Sequence, residues 1–178
     1  VTYFINGGRE EPYPGEKRVL VPSPNVSTYD LKPEMSCHEV AIEVINAIKN
    51  TDYKLIVVNF ANGDMVGHTA IKSAIVEAMN ELDKVLGEVV CEAIGANIST
   101  LITADHGNVD EINNPETGNP NTQHSLNPVP CVIIDNNKNW EIINNSGGLS
   151  NITPTILTLM GIDKPAEMTS SSLIKESN

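Results

Sequence analysis

The sequence predicts an α/β fold in which helices cover a mostly parallel sheet. Two apolar, β-branched runs at residues 55–60 and 98–103 have the length and composition of strands buried on both faces. Between them lies one long amphipathic helix over residues 69–93, whose apolar residues recur at helical spacing: Ile71, Ile75, Ala78, Leu82, Leu86 and Val89. Alternation of strands and helices is typical of layered α/β domains.

The elements before this strand–helix–strand unit are shorter. Residues 1–5 are predicted to form a strand that ends at an Asn-Gly-Gly turn, and residues 18–21 a second strand that stops before Pro22. Ser36 and Glu39 have the spacing of a capping box, which predicts a helix from there to about residue 49.

The elements after it follow the same alternation. Residues 107–127 are dense in Asn, Pro and Thr and are predicted to be a loop, and residues 129–134 are predicted to be a further strand. Ser150 can cap a last helix that has Pro154 in its first turn and Gly161 just after its end.

The charge of the chain excludes two classes of partner. Its 23 acidic and 11 basic residues give a formal net charge of −12. Nucleic acids and anionic membrane surfaces are bound by clustered Lys and Arg, so we expect neither as a partner. No apolar stretch approaches the ~18 residues of a membrane span. An acidic protein that handles an anionic substrate needs local positive charge, which bound metal ions can supply.

The cysteines indicate a reducing compartment. There are three of them, Cys37, Cys91 and Cys131, far apart in the sequence and without a C-x-x-C pair. An odd number at this spacing argues against a disulfide framework or a zinc ribbon. We therefore expect buried free thiols in a cytoplasmic protein.

The first candidate functional cluster lies in residues 59–68, directly after a predicted strand. Open α/β sheets bind ligands beyond the carboxyl ends of their strands. Asp64 and His68 are four residues apart, so in a helical turn both side chains lie on one face and can reach one ion. This spacing is also common in solvated surface pairs, which is an equally good interpretation of the pair alone.

The second cluster, Asp105 and His106, directly follows the apolar run 98–103. Adjacent strand residues point to opposite faces, so the two side chains converge only if the chain turns, which Gly107 and Asn108 permit. A buried Asp beside a His is costly unless both bind something, and metal ligation would offset that cost. The alternative is a simple loop whose Asp caps a neighbouring group.

The third element is His124, in a polar loop before a predicted strand. Its interest is as a partner for Asp64 and His68, because a mixed set of carboxylate and imidazole ligands suits Mn²⁺ or Zn²⁺, whereas Mg²⁺ and Ca²⁺ prefer oxygen ligands. His38 lies in the first turn of a predicted helix and is interpreted as a surface residue.

Taken together, these segments resemble the cofactor-independent phosphoglycerate mutase family of the alkaline-phosphatase superfamily. The similarity runs over nearly the whole chain. The segments that carry it are residues 3–8, 21–24, 29–35, 59–68, 103–108, 124, 127–130 and 165–169. The resemblance implies an alkaline-phosphatase-like three-layer α/β/α fold with a mostly parallel sheet, which is incomplete in this chain.

The resemblance also implies two divalent metal ions. One would be bound by Asp64, His68 and His124, and the other by Asp105 and His106 together with an Asp and a nucleophilic Ser from elsewhere in the enzyme. Mn²⁺ is the first expectation, with Zn²⁺, Co²⁺ or Mg²⁺ as alternatives, and no 2,3-bisphosphoglycerate is required. Three positions differ from the residues frequent in the family without removing a ligand: Gly63, Ala70 and Ser125.

In that family the phosphatase-like domain is discontinuous, and residues 1–178 match only its C-terminal segment. The resemblance implies that the full enzyme interconverts 3-phosphoglycerate and 2-phosphoglycerate through a phosphoserine. We expect the transferase domain and the nucleophile segment to be absent here, since Ser23, Ser27 and Ser36 lie outside the metal motifs. The chain alone is therefore expected to be inactive, with no catalytic residue of its own, and to self-associate.

Two alternatives remain at this point. One is a metal-dependent phosphatase or a phosphopentomutase-like enzyme of the same superfamily, against which the strings at residues 29–35 and 127–130 argue. The other is a catalytically silent metal-binding module, which we expect for the isolated chain.

Overall fold

The computed structural model describes residues 5–50 and 53–177 and divides into two compact units. The first unit takes in Val1–Glu92 and His106–Asn127, and the second Ala93–Asp105 and Pro128–Asn178. Within the described ranges, no helix is both long enough and apolar enough to cross a membrane.

The first unit is helical. It contains a 3-10 turn at Tyr29–Leu31, helix α1 at Cys37–Asn50, the short helix α2 at Asn62–Gly67, and helix α3, which starts here and spans Lys72–Gly95. The helices predicted over residues 36–49 and 69–93 are thus confirmed to within three residues at each end. In α1, Glu39 in the first turn and Lys49 in the last turn both complement the helix dipole.

Two apolar clusters hold the first unit together. One joins α1 to α3 through side chains at helical spacing: Cys37, Ala41, Val44, Val85 and Val89. The other packs α2 and the turn before α1 against the start of α3: Met35, Val66, Ala74, Ile75 and Ala78. Because Val66 is fully buried in the second cluster, α2 has a fixed position in this unit.

The second unit contains the strands. Strand β1 at Thr100–Thr103 pairs with β2 at Cys131–Ile134, and β3 at Trp140–Ile142 pairs with β4 at Ile174–Glu176. The strands predicted over residues 98–103 and 129–134 are confirmed in shortened form. Strands β3 and β4 were not predicted, because each has three residues and shows too little alternation to stand out.

Helix α4, at Ile152–Leu159, follows a 3-10 turn at Leu149–Asn151. Gly161 lies just after its end with a φ of 66°, the left-handed conformation that commonly terminates helices. The predicted last helix is therefore confirmed, together with its termination signal.

The strand pairing differs from the predicted sheet. Both ladders between the described strands are two-stranded and antiparallel. The connection from β1 to β2 contains no helix, and a parallel return usually needs a helical crossover. The α/β class and the incompleteness of the sheet are confirmed, whereas the mostly parallel arrangement is not seen among the described residues.

Two of the predicted strands do not form. Residues 18–21 and 55–60 are extended or irregular and pair with none of the described strands. Leu55, Val57 and Val58 are 52%, 45% and 38% exposed, although their composition is that of a buried strand. A strand exists only where a neighbour pairs with it, and no described segment does so. The strand predicted over residues 1–5 lies outside the described residues apart from its last residue, which is not in a strand.

The expectation of buried thiols is correct for one cysteine only. Cys37 is buried in the contact between α1 and α3, and burial raises its pKa. Cys91 and Cys131 are also free but exposed. Cys91 lies between the buried Val89 and Ala93 of α3, so it points away from the face that those two residues share.

Two glycines allow a test of the backbone assignments. Alanine at Gly87, inside α3, or at Gly161 would place a Cβ atom with nothing within 4 Å, but only Gly161 has a positive φ. We expect Gly87→Ala to raise the free energy of unfolding by about 0.5–1 kcal/mol, through higher helix propensity. Gly161→Ala should lower it by about 1–2 kcal/mol, through left-handed strain. Urea denaturation measures both, and changes of the same sign would contradict the assignment.

Candidate metal centre

Helix α2 places Asp64 and His68 on one face. The helix is anchored by Asn62, which is 2% exposed and whose side-chain amide donates to the carbonyls of Pro33 at 3.0 Å and Glu34 at 2.8 Å. The backbone N–H of His68 donates to the carbonyl of Asp64, which closes the last turn. Asp64 Oδ1 and His68 Nε2 lie 3.1 Å apart.

His124 joins this pair from a segment 56 residues further along the chain than His68. Its Nε2 atom lies 3.0 Å from Asp64 Oδ1 and 3.3 Å from His68 Nε2. The three potential ligand atoms all lie within 4.8 Å of one another, and both imidazoles are exposed. The arrangement offers a cation one oxygen and two nitrogen ligands, with the remaining coordination positions open.

The orientation of the His68 ring fits it for metal binding. Its Nδ1 lies 2.7 Å from the carbonyl oxygen of Thr122. Since a carbonyl only accepts, we assign the proton to Nδ1, which leaves the lone pair of Nε2 directed at Asp64 Oδ1 and His124. Electron-rich atoms this close repel one another unless a proton or a cation lies among them, so the donor set suits a divalent ion.

His106 lies beside the three residues, and Asp105 is in the other unit. The Nε2 atom of His106 is 3.9 Å from Asp64 Oδ1, and its ring stacks on that of His124 with centroids 3.6 Å apart. Asp105 lies two residues after the end of β1, is exposed, and belongs to the second unit. Joint ligation of a second metal by Asp105 and His106 stays a prediction.

Asn108 helps to orient Asp64, although in the sequence it was interpreted only as a turn residue. It is 7% exposed, and its side-chain amide donates to Asp64 Oδ1 at 2.9 Å and to the Asp64 carbonyl at 3.3 Å. The contact requires glycine at position 67, because a Cβ atom there would collide with the Asn108 side chain. In the sequence, Asn108 directly follows Gly107, and a turn accounts for both residues, so nothing local indicated a contact between Asn108 and Asp64.

Asp110 was not singled out from the sequence either. Its carboxylate accepts hydrogen bonds from the backbone N–H of Asn108 at 2.7 Å, the hydroxyl of Ser125 at 2.8 Å and the amide of Asn127 at 2.6 Å. The Asn127 amide is the largest of the effects that lower the Asp110 pKa, while partial desolvation acts in the opposite direction. Nothing in the motifs marks this carboxylate, because two of its three partners, Ser125 and Asn127, are 15 and 17 residues away in the sequence.

His38 is half exposed and lies 3.3 Å from Glu81, which confirms its interpretation as a surface residue.

Comparison with known proteins assigns the chain to a class. Residues 1–164 match the sequence pattern of the metalloenzyme superfamily, and the chain belongs to that superfamily. Within it, the chain is similar to 2,3-bisphosphoglycerate-independent phosphoglycerate mutases, as the sequence motifs predicted. It is 51% identical over 175 residues to the protein of that name from Bacteroides thetaiotaomicron and 48% identical over 174 residues to the one from Symbiobacterium thermophilum.

Each of these alignments covers 98% of the chain but 34% of the relative. The chain therefore spans about a third of the length of the curated relatives that it matches. A crystal structure of Leishmania mexicana phosphoglycerate mutase at low cobalt concentration superposes with a TM-score of 0.90 and 32% identity, covering 99% of this chain and 35% of that one. The similarity in structure thus extends over the same share of the chain as the similarity in sequence.

Proposed function

We propose that this chain is the C-terminal segment of the discontinuous, metal-binding phosphatase-like domain of a 2,3-bisphosphoglycerate-independent phosphoglycerate mutase. The observation that carries the proposal is the convergence of Asp64, His68 and His124, with all three ligand atoms within 4.8 Å. This convergence occurs in a chain that is about half identical to curated mutases over 98% of its length.

The ligand roles follow from the geometry and from the family resemblance. Asp64, His68 and His124 hold one divalent ion, and Asp105 and His106 contribute to a second. The mixed oxygen and nitrogen set favours Mn²⁺, with Zn²⁺, Co²⁺ or Mg²⁺ as alternatives. When bound, such ions neutralise the charge on a transferring phosphoryl group and activate a hydroxyl nucleophile.

In the complete enzyme the substrate is a small-molecule phosphoglycerate, and the reaction interconverts 3-phosphoglycerate and 2-phosphoglycerate in the cytoplasm, as part of glycolysis. The nucleophilic serine and the transferase domain lie outside this chain, whose contribution is to hold and orient the metal ligands. His68 is oriented by the Thr122 carbonyl and Asp64 by the Asn108 amide. No nucleic acid or membrane takes part.

Calorimetric titration with Mn²⁺ tests the ligand assignment. We expect about one ion per chain to bind first, because one set has three protein ligands in place, and a second ion to bind much more weakly. Affinity should fall as the pH is lowered, since protons compete with the ion for the imidazole nitrogens. The matched control is His38→Ala, which should bind as the unaltered protein does. Two sites of equal affinity, or affinity independent of pH, would contradict the assignment.

A further inference from the structure

The two segments that carry His106 and His124 are joined at the base of the loop between them. The backbone N–H of Ser125 donates to the carbonyl of Gly107 at 3.0 Å, and these two residues form an isolated antiparallel bridge. A Cβ atom at Gly107 would collide with Ser125 Oγ, so the two strands of the bridge lie in close contact.

Asp110 accepts hydrogen bonds from both segments that meet at this junction, the bridge between Gly107 and Ser125. One carboxylate oxygen accepts the backbone N–H of Asn108, immediately after Gly107, and the other accepts both the Ser125 hydroxyl and the Asn127 amide. Ser125 directly follows His124 in the chain. A single carboxylate therefore binds the segment after His106 to the segment after His124.

We propose that Asp110 is a positioning residue of the metal centre, which holds the His124 imidazole against Asp64 and His68 without binding the ion itself. The inference rests on the proposed metal-binding role of those three residues. A histidine on a loop meets its partners only if the loop backbone is fixed, and residues that orient metal ligands typically contribute ~10- to 100-fold to affinity.

The chemistry of the junction requires a carboxylate. Its three donors are a backbone N–H, a hydroxyl and a side-chain amide, and they need acceptors on two oxygens at once. An ionised carboxylate has two such oxygens. An amide side chain has only one, and its NH2 group would face donors on the other side, which cannot accept its hydrogens. The depressed pKa of Asp110 is consistent with this, because the surrounding donors favour the ionised form.

The test is a double-mutant cycle on Mn²⁺ affinity, measured by calorimetry. We expect Asp110→Ala to weaken binding by about 10- to 100-fold. In a His124→Ala background the same change should weaken it only about two- to threefold, since only the link through Asn108 to Asp64 remains. Ser125→Ala, which leaves the Asp110 carboxylate and its bonds to Asn108 and Asn127 in place, should weaken binding in the same direction but less.

The matched control is Glu111→Gln, in the same loop, where the carboxylate accepts one hydrogen bond, from Asn121 at 3.2 Å, and lies outside the junction. It should bind Mn²⁺ as the unaltered protein does. If Asp110→Ala retains affinity within about twofold, or weakens binding equally with and without His124, the inference is overturned while the metal centre stands. If the unaltered protein binds no Mn²⁺, the proposed function fails, and this inference fails with it.

Discussion

Replacing Asp64 with alanine is expected to abolish measurable Mn²⁺ binding at the first site. Asp64 Oδ1 lies within 3.1 Å of the Nε2 atoms of both His68 and His124, and it is the only anionic ligand of the three. Its removal leaves two neutral imidazoles and no negative charge to offset desolvation of the ion. The loss should exceed the ~10- to 100-fold that partners outside the ligand set typically contribute.

Calorimetry on matched variants distinguishes the loss of a metal ligand from the loss of one negative charge in this acidic protein. Asp64→Asn preserves the volume of the side chain and removes its charge, so it should lose nearly as much affinity as Asp64→Ala. Asp83→Asn removes one negative charge from an exposed position of α3 and should leave Mn²⁺ binding unchanged. If Asp64→Ala bound Mn²⁺ about as tightly as Asp83→Asn, the site would have been assigned wrongly.

The helical part of the site could be predicted from local sequence alone. Asp64 and His68 are four residues apart, and any helical turn brings such a pair together. His124 lies far along the chain from both, and no spacing rule reaches over that distance, so ligand chemistry offered it only as a candidate partner, which the family resemblance then supported. Asn108 and Asp110 escaped prediction because their roles depend on how the loop closes between residues 107 and 125, which is a property of the folded chain.

In the fold as well, elements determined by local sequence were predicted, whereas strand pairing, which depends on distant partners, was not. Helices α1 and α3 were predicted almost to their ends, because the capping spacing that predicted α1 and the amphipathic periodicity that predicted α3 are both local in the sequence. The run at residues 55–60 has the composition of a strand but forms none, because strand formation needs a neighbour. Composition alone also predicted parallel neighbours for β1, whereas its actual partner is antiparallel.

The unpaired run at residues 55–60 bears on what the chain does by itself. Its apolar side chains at Leu55, Val57 and Val58 are exposed, and no described strand pairs with its backbone. Unpaired strands and bare apolar surface recruit partners. Under the proposed function, the missing partner is the remainder of the discontinuous domain, which also supplies the serine nucleophile.

We therefore expect the chain alone to self-associate and to show no phosphoglycerate mutase turnover. Adding the remainder of the enzyme in trans should restore some turnover, because Asp64, His68 and His124 are already in place in this chain. Light scattering after size exclusion and a coupled assay with 3-phosphoglycerate measure the two effects. The control is the complementing remainder paired with the Asp64→Ala chain, which should stay inactive. A monomeric chain with full turnover on its own would overturn the proposal, because it would require a nucleophile within these residues.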